Sequence, residues 1–362
     1  LSDTQREAYK DRNRNLVLNT VIPAYQAMID ALNNLKGKSA DLGGICNYEG
    51  GKDYYEYIVA HKTGSSKTIP EMKKVLEQVL EDSTNVIYDI YANQPQVLLE
   101  YYGDENFIVE GLSSPANFLE YYKQEMLTEF PAPPEVEYTI SDIDPAIADI
   151  VSPAFCVTPC IDDYTHNVIQ VNRSENNGSA GALSATYAHE GYPGHLYQMT
   201  YFLSTNPYPV RDMLNFLGYS EGWAMYVEMR SYNWITYSNY DSDYVRKLYV
   251  AAELQNLAFC CLADIYVNYY GYSLQDLCDY MDELGFNTEA AEGLYDMMIE
   301  EPGYYPQYFV GYLEFVELRD YAKNQLGDSF DEIGYHQTIL ETGPCDFDTL
   351  RNQMDTYIES VK

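Results

Sequence analysis

Apolar residues recur along most of this chain at the three- and four-residue spacing of a single helical face. Residues 3–35 carry Leu16, Leu18, Val21, Ile22, Met28, Ile29 and Leu32 on one stripe, and the stretches 69–92, 113–130 and 244–271 repeat the pattern. Helices are predicted there, with most apolar positions packed into a core. Breaks rich in glycine and polar residues predict loops at 36–44 and 65–70. Only 134–173 differs: "PEVEYTIS" and "NVIQVNRS" alternate or carry β-branched residues, the mark of short strands. "ENNGSAGALS" at 175–184 predicts a flexible loop leading into the next helix. No internal repeat or low-complexity segment is present.

Charge narrows the field of partners. The 362-residue chain has a net charge of −35, so neither nucleic acid nor an anionic membrane surface is an expected partner. Such a field instead concentrates divalent cations and basic peptides. Hydrophobic content of 46% with 39 tyrosines belongs to a folded chain. Seven scattered cysteines form no disulfide framework, and Cys156 with Cys160 lacks the second pair that a structural zinc site needs. No apolar run long enough to span a bilayer and no signal peptide are visible. The chain opens at Leu1 rather than methionine. That start, with the acidic, tyrosine-rich composition, points to an exported or cell-surface bacterial protein, while the odd thiol count favours the cytoplasmic alternative.

Chemistry concentrates in "HEGYPGH", residues 189–195. Two histidines four apart on a helix reach one metal, but a step of six turns the side chain by roughly 240° and points His189 and His195 apart. Pro193 and Gly194 lie between them. Proline removes a helical hydrogen bond and clashes with the carbonyl four residues earlier, which is that of His189, and glycine allows the dihedrals of a bend. A kink is therefore predicted, one that brings both imidazoles to the same side.

A catalytic zinc needs a third protein ligand and an open position. "YSEGWAMYVE" at 219–228 follows in helical pattern, and a short connection at 204–209 would make the two helices antiparallel neighbours. Glu221 then faces the histidines. Glu228, two turns further along the same face, is either a supporting partner or the ligand if the register differs. Glu190 sits one residue round from His189, where its carboxylate can take the proton of a metal-activated water and carry it to a leaving amine. The developing oxyanion needs a donor besides zinc, typically Tyr or His. His61 and His166 read as ordinary structural histidines.

H-E-x-x-P-G-H followed by E-G-W-A-x-Y resembles a bacterial family of unknown function, DUF885, regarded as zinc metallopeptidase-like. "YFVGYLEFVELRDYAKNQLGDSF" at 308–330 and "YHQTILETG" at 335–343 are similar to further segments of that family. The resemblance implies His189, His195 and Glu221 as zinc ligands and Glu190 as base. It also implies Tyr308 and His336 as oxyanion donors, and Arg319 as a partner for either a substrate carboxylate or an acidic neighbour. The chain departs from the family pattern at Leu196, where a further histidine is usual, and at "EPGYYPQYFVG", which alters the pocket.

The expected fold is mainly α, a large helical zinc-peptidase-like unit with a deep cleft and a small β-sheet beside the helix that carries the motif. Residues 1–110 are expected to form a helical N-terminal part of the cleft and 111–362 the zinc-binding part, with one continuous domain as the alternative. The expected function is zinc-dependent hydrolysis of peptide bonds, in short peptides that enter the cleft, with an edge strand able to take up the peptide. A zinc amidase acting on non-peptide or cell-wall amides, and a non-catalytic binding protein with a structural metal site, are the alternatives. Oligomeric state is not encoded in any of these features.

Overall fold

The structure, a computed structural model, describes residues 1–38, 42–103, 107–173 and 180–362. The chain divides into two compact units, Leu1–Gly43 and Gly44–Lys362. The first is a helical rod: α1 (Asp3–Leu16), a π-helical turn at Val17–Val21, and α2 (Ile22–Asn33). Ser2 opens it with a capping box closed by Gln5. Its apolar stripe was expected to enter a core, but Leu16, Leu18, Val21, Ile22, Met28, Ile29 and Leu32 are all exposed.

The second unit is built from α3 (Gly51–Thr63), α4 (Ile69–Asn93), α5 (Pro95–Tyr101), α6 (Pro115–Glu125), β1 (Glu137–Asp142), β2 (Ala154–Cys156), β3 (His166–Val171), α7 (Ala180–Glu190), α8 (His195–Ser204), α9 (Leu217–Ser231), α10 (Ser242–Asn268), α11 (Leu274–Leu284), α12 (Ala291–Glu300), α13 (Tyr304–Leu326), α14 (Glu332–Thr342) and α15 (Phe347–Val361). The mainly helical class and the single small sheet are as expected. Residues 175–179 of the expected loop lie outside the described residues, and Ala180–Ser184 is already helix.

The sheet has strand order β1-β3-β2, with β1 parallel and β2 antiparallel to β3. β2 is three residues long, too short to show alternation, and the sequence pattern misses it. It forms one edge of the sheet, and Ala154, Phe155 and Cys156 line a cavity with the histidine motif. α10 is long and apolar enough to cross a membrane by length and composition, contrary to expectation, yet 67% of that window is buried inside the protein, as suits the central helix of a core. It packs along α4, whose Thr68 and Glu71 form a capping box.

α9 lies along α13 and against α7. The α9–α13 approach runs through glycine: a Cβ on Gly222 would come within 2.4 Å of the Gly311 carbonyl carbon, and one on Gly311 within 2.1 Å of the Gly218 oxygen. Such backbone contact brings the first turns of α13 beside the segment of α9 that holds Glu221.

Candidate metal centre

The HEGYPGH segment does more than kink. α7 ends at Glu190 and α8 begins afresh at His195, so the motif spans two helices. The Tyr192–Pro193 peptide is cis. Gly194 packs so tightly that a Cβ there would lie 1.8 Å from the His189 carbonyl oxygen. The Trp223 indole N–H donates to the Pro193 carbonyl at 2.9 Å, tying the bend to α9. The two imidazoles end with ring centroids 4.9 Å apart at 81°.

Glu221 meets both. Its Oε2 lies 3.4 Å from His195 Nε2 and 3.6 Å from His189 Nε2. Two donors bound tetrahedrally to one zinc at 2.0–2.1 Å stand about 3.3 Å apart, so these spacings suit three ligands of a single ion. Single ligand atoms of His189, Glu190 and His195 also fall within 4.8 Å of one another. Glu221 is the better third ligand, because the Glu190 Oε1 stands 4.0 Å from His189 Nε2 and its Oε2 accepts the Cys156 backbone N–H at 2.7 Å. β2 thus fixes Glu190 by a main-chain donor, a contact invisible in the sequence.

On its other side His189 Nδ1 lies 2.8 Å from Glu228 Oε2. A carboxylate only accepts, so Nδ1 carries the hydrogen and Nε2 faces Glu221. Behind Glu228, Glu253 of α10 is pushed up to about 7 by burial, with the Glu228 charge adding and His189 opposing. The cluster itself calls for positive charge. Burial disfavours the cationic form of His189, but hydrogen bonds to Glu221 and Glu228 outweigh it and raise its pKa well above the usual value. Burial likewise opposes ionisation of Glu221, and the two histidines hold it well below the ordinary carboxylate range. Among the described residues no lysine or arginine lines the cavity here, so a divalent cation fits the donor set as the compensating charge.

That cavity, about 430 Å³, is walled opposite the histidines by Tyr304, Tyr305 and Tyr308 of α13. Burial and the Glu221 charge push the Tyr308 pKa up, so its hydroxyl keeps its proton. Tyr304 stands four residues before Tyr308, one turn back on the same face, and that spacing was the available signal for it. Cys156, His195 and Glu221 also line a second cavity, of about 700 Å³.

Two expected residues are elsewhere. His336 is fully buried, stacked on Phe130 at 3.9 Å between centroids. Its Nδ1 donates to the Glu129 carbonyl at 2.7 Å, which leaves Nε2 to accept the Tyr226 hydroxyl at 2.9 Å. Burial above all drives its pKa well below the usual range, so it is a neutral core histidine with no free donor. Arg319 pairs with Glu332 through two nitrogens and lines a different cavity, beside Tyr226 and Arg230. The acidic neighbour is its partner. His61 and His166 lie outside the cluster, as expected, and the seven cysteines are free thiols.

Fold and site together define a mainly helical protein with a histidine–carboxylate cluster at a break between two helices. The chain belongs to the family described as "Bacterial protein of unknown function (DUF885)", whose model matches residues 1–354. Among the solved structures that share its fold are two described as a "putative lipoprotein". The one from Colwellia psychrerythraea has a TM-score of 0.83 at 21% identity, over 99% of this chain and 64% of its own. The one from Shewanella oneidensis, further described as of unknown function, has a TM-score of 0.64 at 17% identity, over 98% and 67%. This chain thus spans about two thirds of the length of each. A search of curated proteins finds no match.

Proposed function

We propose that this chain is a zinc-dependent peptidase that hydrolyses short peptides. The observation that carries the reading is the position of Glu221 Oε2, within 3.6 Å of both histidine Nε2 atoms, while Glu190 stands beside the same cluster with one oxygen uncommitted. His189, His195 and Glu221 would hold the ion. Bound zinc supplies Lewis-acid polarisation and lowers the pKa of water to about 7.

The remaining chemistry belongs to the chain. Glu190 Oε1 accepts a proton from the attacking water while the Cys156 N–H holds Oε2, so the carboxylate cannot rotate away. The water oxygen bonds to the carbonyl carbon, the C–N bond breaks, and Glu190 returns the proton to the leaving nitrogen. The protonated Tyr308 hydroxyl, in the facing wall, donates to the oxygen that gains charge. The outer edge of β2 offers main-chain groups along which an extended substrate can lie. We place this activity in an exported or cell-surface protein, on the description of both structural relatives as lipoproteins.

The test is metal analysis joined to peptide hydrolysis. Wild type is expected to carry one zinc per chain and cleave short peptides. Glu190→Gln should keep the metal and lose roughly 10²- to 10⁴-fold in turnover. Full activity in that variant would remove Glu190 as the base.

A further inference from the structure

We propose that the 700 Å³ cavity beyond His195 and Glu221 receives the carboxy-terminal end of the substrate, an apolar residue whose free carboxylate is held by Arg211. This rests on the peptidase reading and gives it a direction, with cleavage close to the carboxyl end.

The cavity shares Cys156, His195 and Glu221 with the one that holds Glu190 and the tyrosines, so a chain crossing the cluster passes from one to the other. Its walls include Met199, Phe202, Leu203, Met213, Leu214 and Leu217. Met213 is 77% exposed and Leu214 46%, apolar surface that an apolar side chain would cover.

Arg211 is the one lysine or arginine among the described residues lining this cavity, and the tyrosine-walled cavity has none. Its Nη2 donates to the carbonyls of Thr342 at 2.8 Å and Pro344 at 2.9 Å, and the guanidinium lies over the Phe202 ring at 5.2 Å. The group is thereby anchored. No described side chain or backbone group partners its Nε or Nη1. Every other arginine of Gly44–Lys362 sits on an acid: Arg173 on Asp142, Arg230 on Glu129, Arg246 on Asp243, Arg319 on Glu332 and Arg351 on Asp355. Arg211 alone has no carboxylate within ion-pair distance among the described side chains, which leave out that of its neighbour Asp212. In a chain of net charge −35, an anchored arginine with no acid among the described side chains, in a cavity it shares with His195 and Glu221, fits a carboxylate brought by the substrate.

The experiment compares the peptide Ala-Ala-Ala-Phe with its carboxy-terminal amide. Hydrolysis is followed with the zinc-loaded wild type, and binding by calorimetry with Glu190→Gln. The free acid is expected to exceed the amide at least about tenfold in kcat/KM, mostly through KM, and in affinity. Arg211→Met should bring the acid-to-amide ratio down to about one, and Arg211→Lys should restore part of it. Equal cleavage and equal binding of acid and amide by protein with an intact arginine would overturn the carboxylate site and leave the peptidase reading standing. A protein that binds the acid more tightly yet cleaves neither peptide would overturn the peptidase reading and keep the site. The acid-to-amide ratio of unsubstituted Arg211 decides the matter even if the Met variant folds poorly.

Discussion

His189 donates its Nδ1 hydrogen to Glu228 Oε2 over 2.8 Å, and that single bond decides which nitrogen of the ring faces Glu221. The two glutamates lie two turns apart on α9, one on each side of the imidazole. One helix therefore supplies one proposed ligand and orients another.

Removing these two carboxylates should have unequal effects. Glu221→Ala deletes a ligand and is expected to leave the purified protein with little zinc. Glu228→Gln keeps the ligands but loses the charge behind His189, and such partners are worth about 10- to 100-fold in metal affinity. Competition against a graded chelator measures both. If Glu228→Gln binds zinc as wild type does while Glu221→Ala stays fully loaded, the ligand assignment is wrong.

The bend admits a sharper perturbation. A methyl group on Gly194 would lie 1.8 Å from the His189 oxygen and 2.3 Å from that of Ala188, both backbone atoms that no side-chain rotation can clear. Gly194→Ala should force the start of α8 away from the end of α7, cost several kcal/mol, and separate the imidazoles. Lower thermal stability together with lost zinc binding is the expected pair of results. A variant as stable and as well metallated as wild type would show that the segment tolerates another path.

Much of this centre is legible in the sequence because it depends on local chemistry. A proline and a glycine between two histidines announce a break, and the E-G-W segment lies one short connection downstream. What escapes is set by distant packing. β2 is three residues long and holds Glu190 through a backbone N–H, which no residue type reveals. His336 falls at a familiar position, yet its ring is spent on the Glu129 carbonyl and the Tyr226 hydroxyl, partners far away in sequence. The stripe of residues 3–35 has true helical period, but period alone does not say that the face is buried, and none of α1 or α2 is. Arg319 and Arg211 look alike as sequence, and only the structure separates the one paired with Glu332 from the one anchored on the Thr342 and Pro344 carbonyls.

Replacing His336 separates a core role from a catalytic one. His336→Phe would keep the stacking on Phe130 but strand the Glu129 carbonyl and the Tyr226 hydroxyl in the interior. Each lost bond costs roughly 1–3 kcal/mol when a buried partner is left unsatisfied. Reduced stability in chemical denaturation is expected, with peptide hydrolysis per folded molecule unchanged. A stable variant with lost turnover would return His336 to the reaction.

Asp264 gives the fold a pH signature away from the histidine cluster. Its buried carboxylate accepts from the Tyr55 hydroxyl at 2.7 Å, the Asn268 amide at 3.1 Å and the Gly303 N–H at 2.7 Å, joining α3 and α10 to the residue that caps α13 and its tyrosine wall. Burial raises its pKa from 3.8 to about 6, against the opposing pull of these three donors and of Lys62. The folded state therefore keeps this proton at pH values where the unfolded chain has lost it, and stability must fall as pH rises through that interval. The loss is on the order of 3 kcal/mol, complete once the pH passes the folded value. Asp264→Asn cannot titrate and also turns an NH2 donor toward the Gly303 N–H or the Asn268 NH2, which only donate, so it starts less stable than wild type. The stability gap between the two proteins, measured by denaturant unfolding from about pH 4 to about pH 7, should narrow with rising pH. A gap that stays constant, or widens, would show that Asp264 carries its charge in the folded state as easily as in the unfolded one.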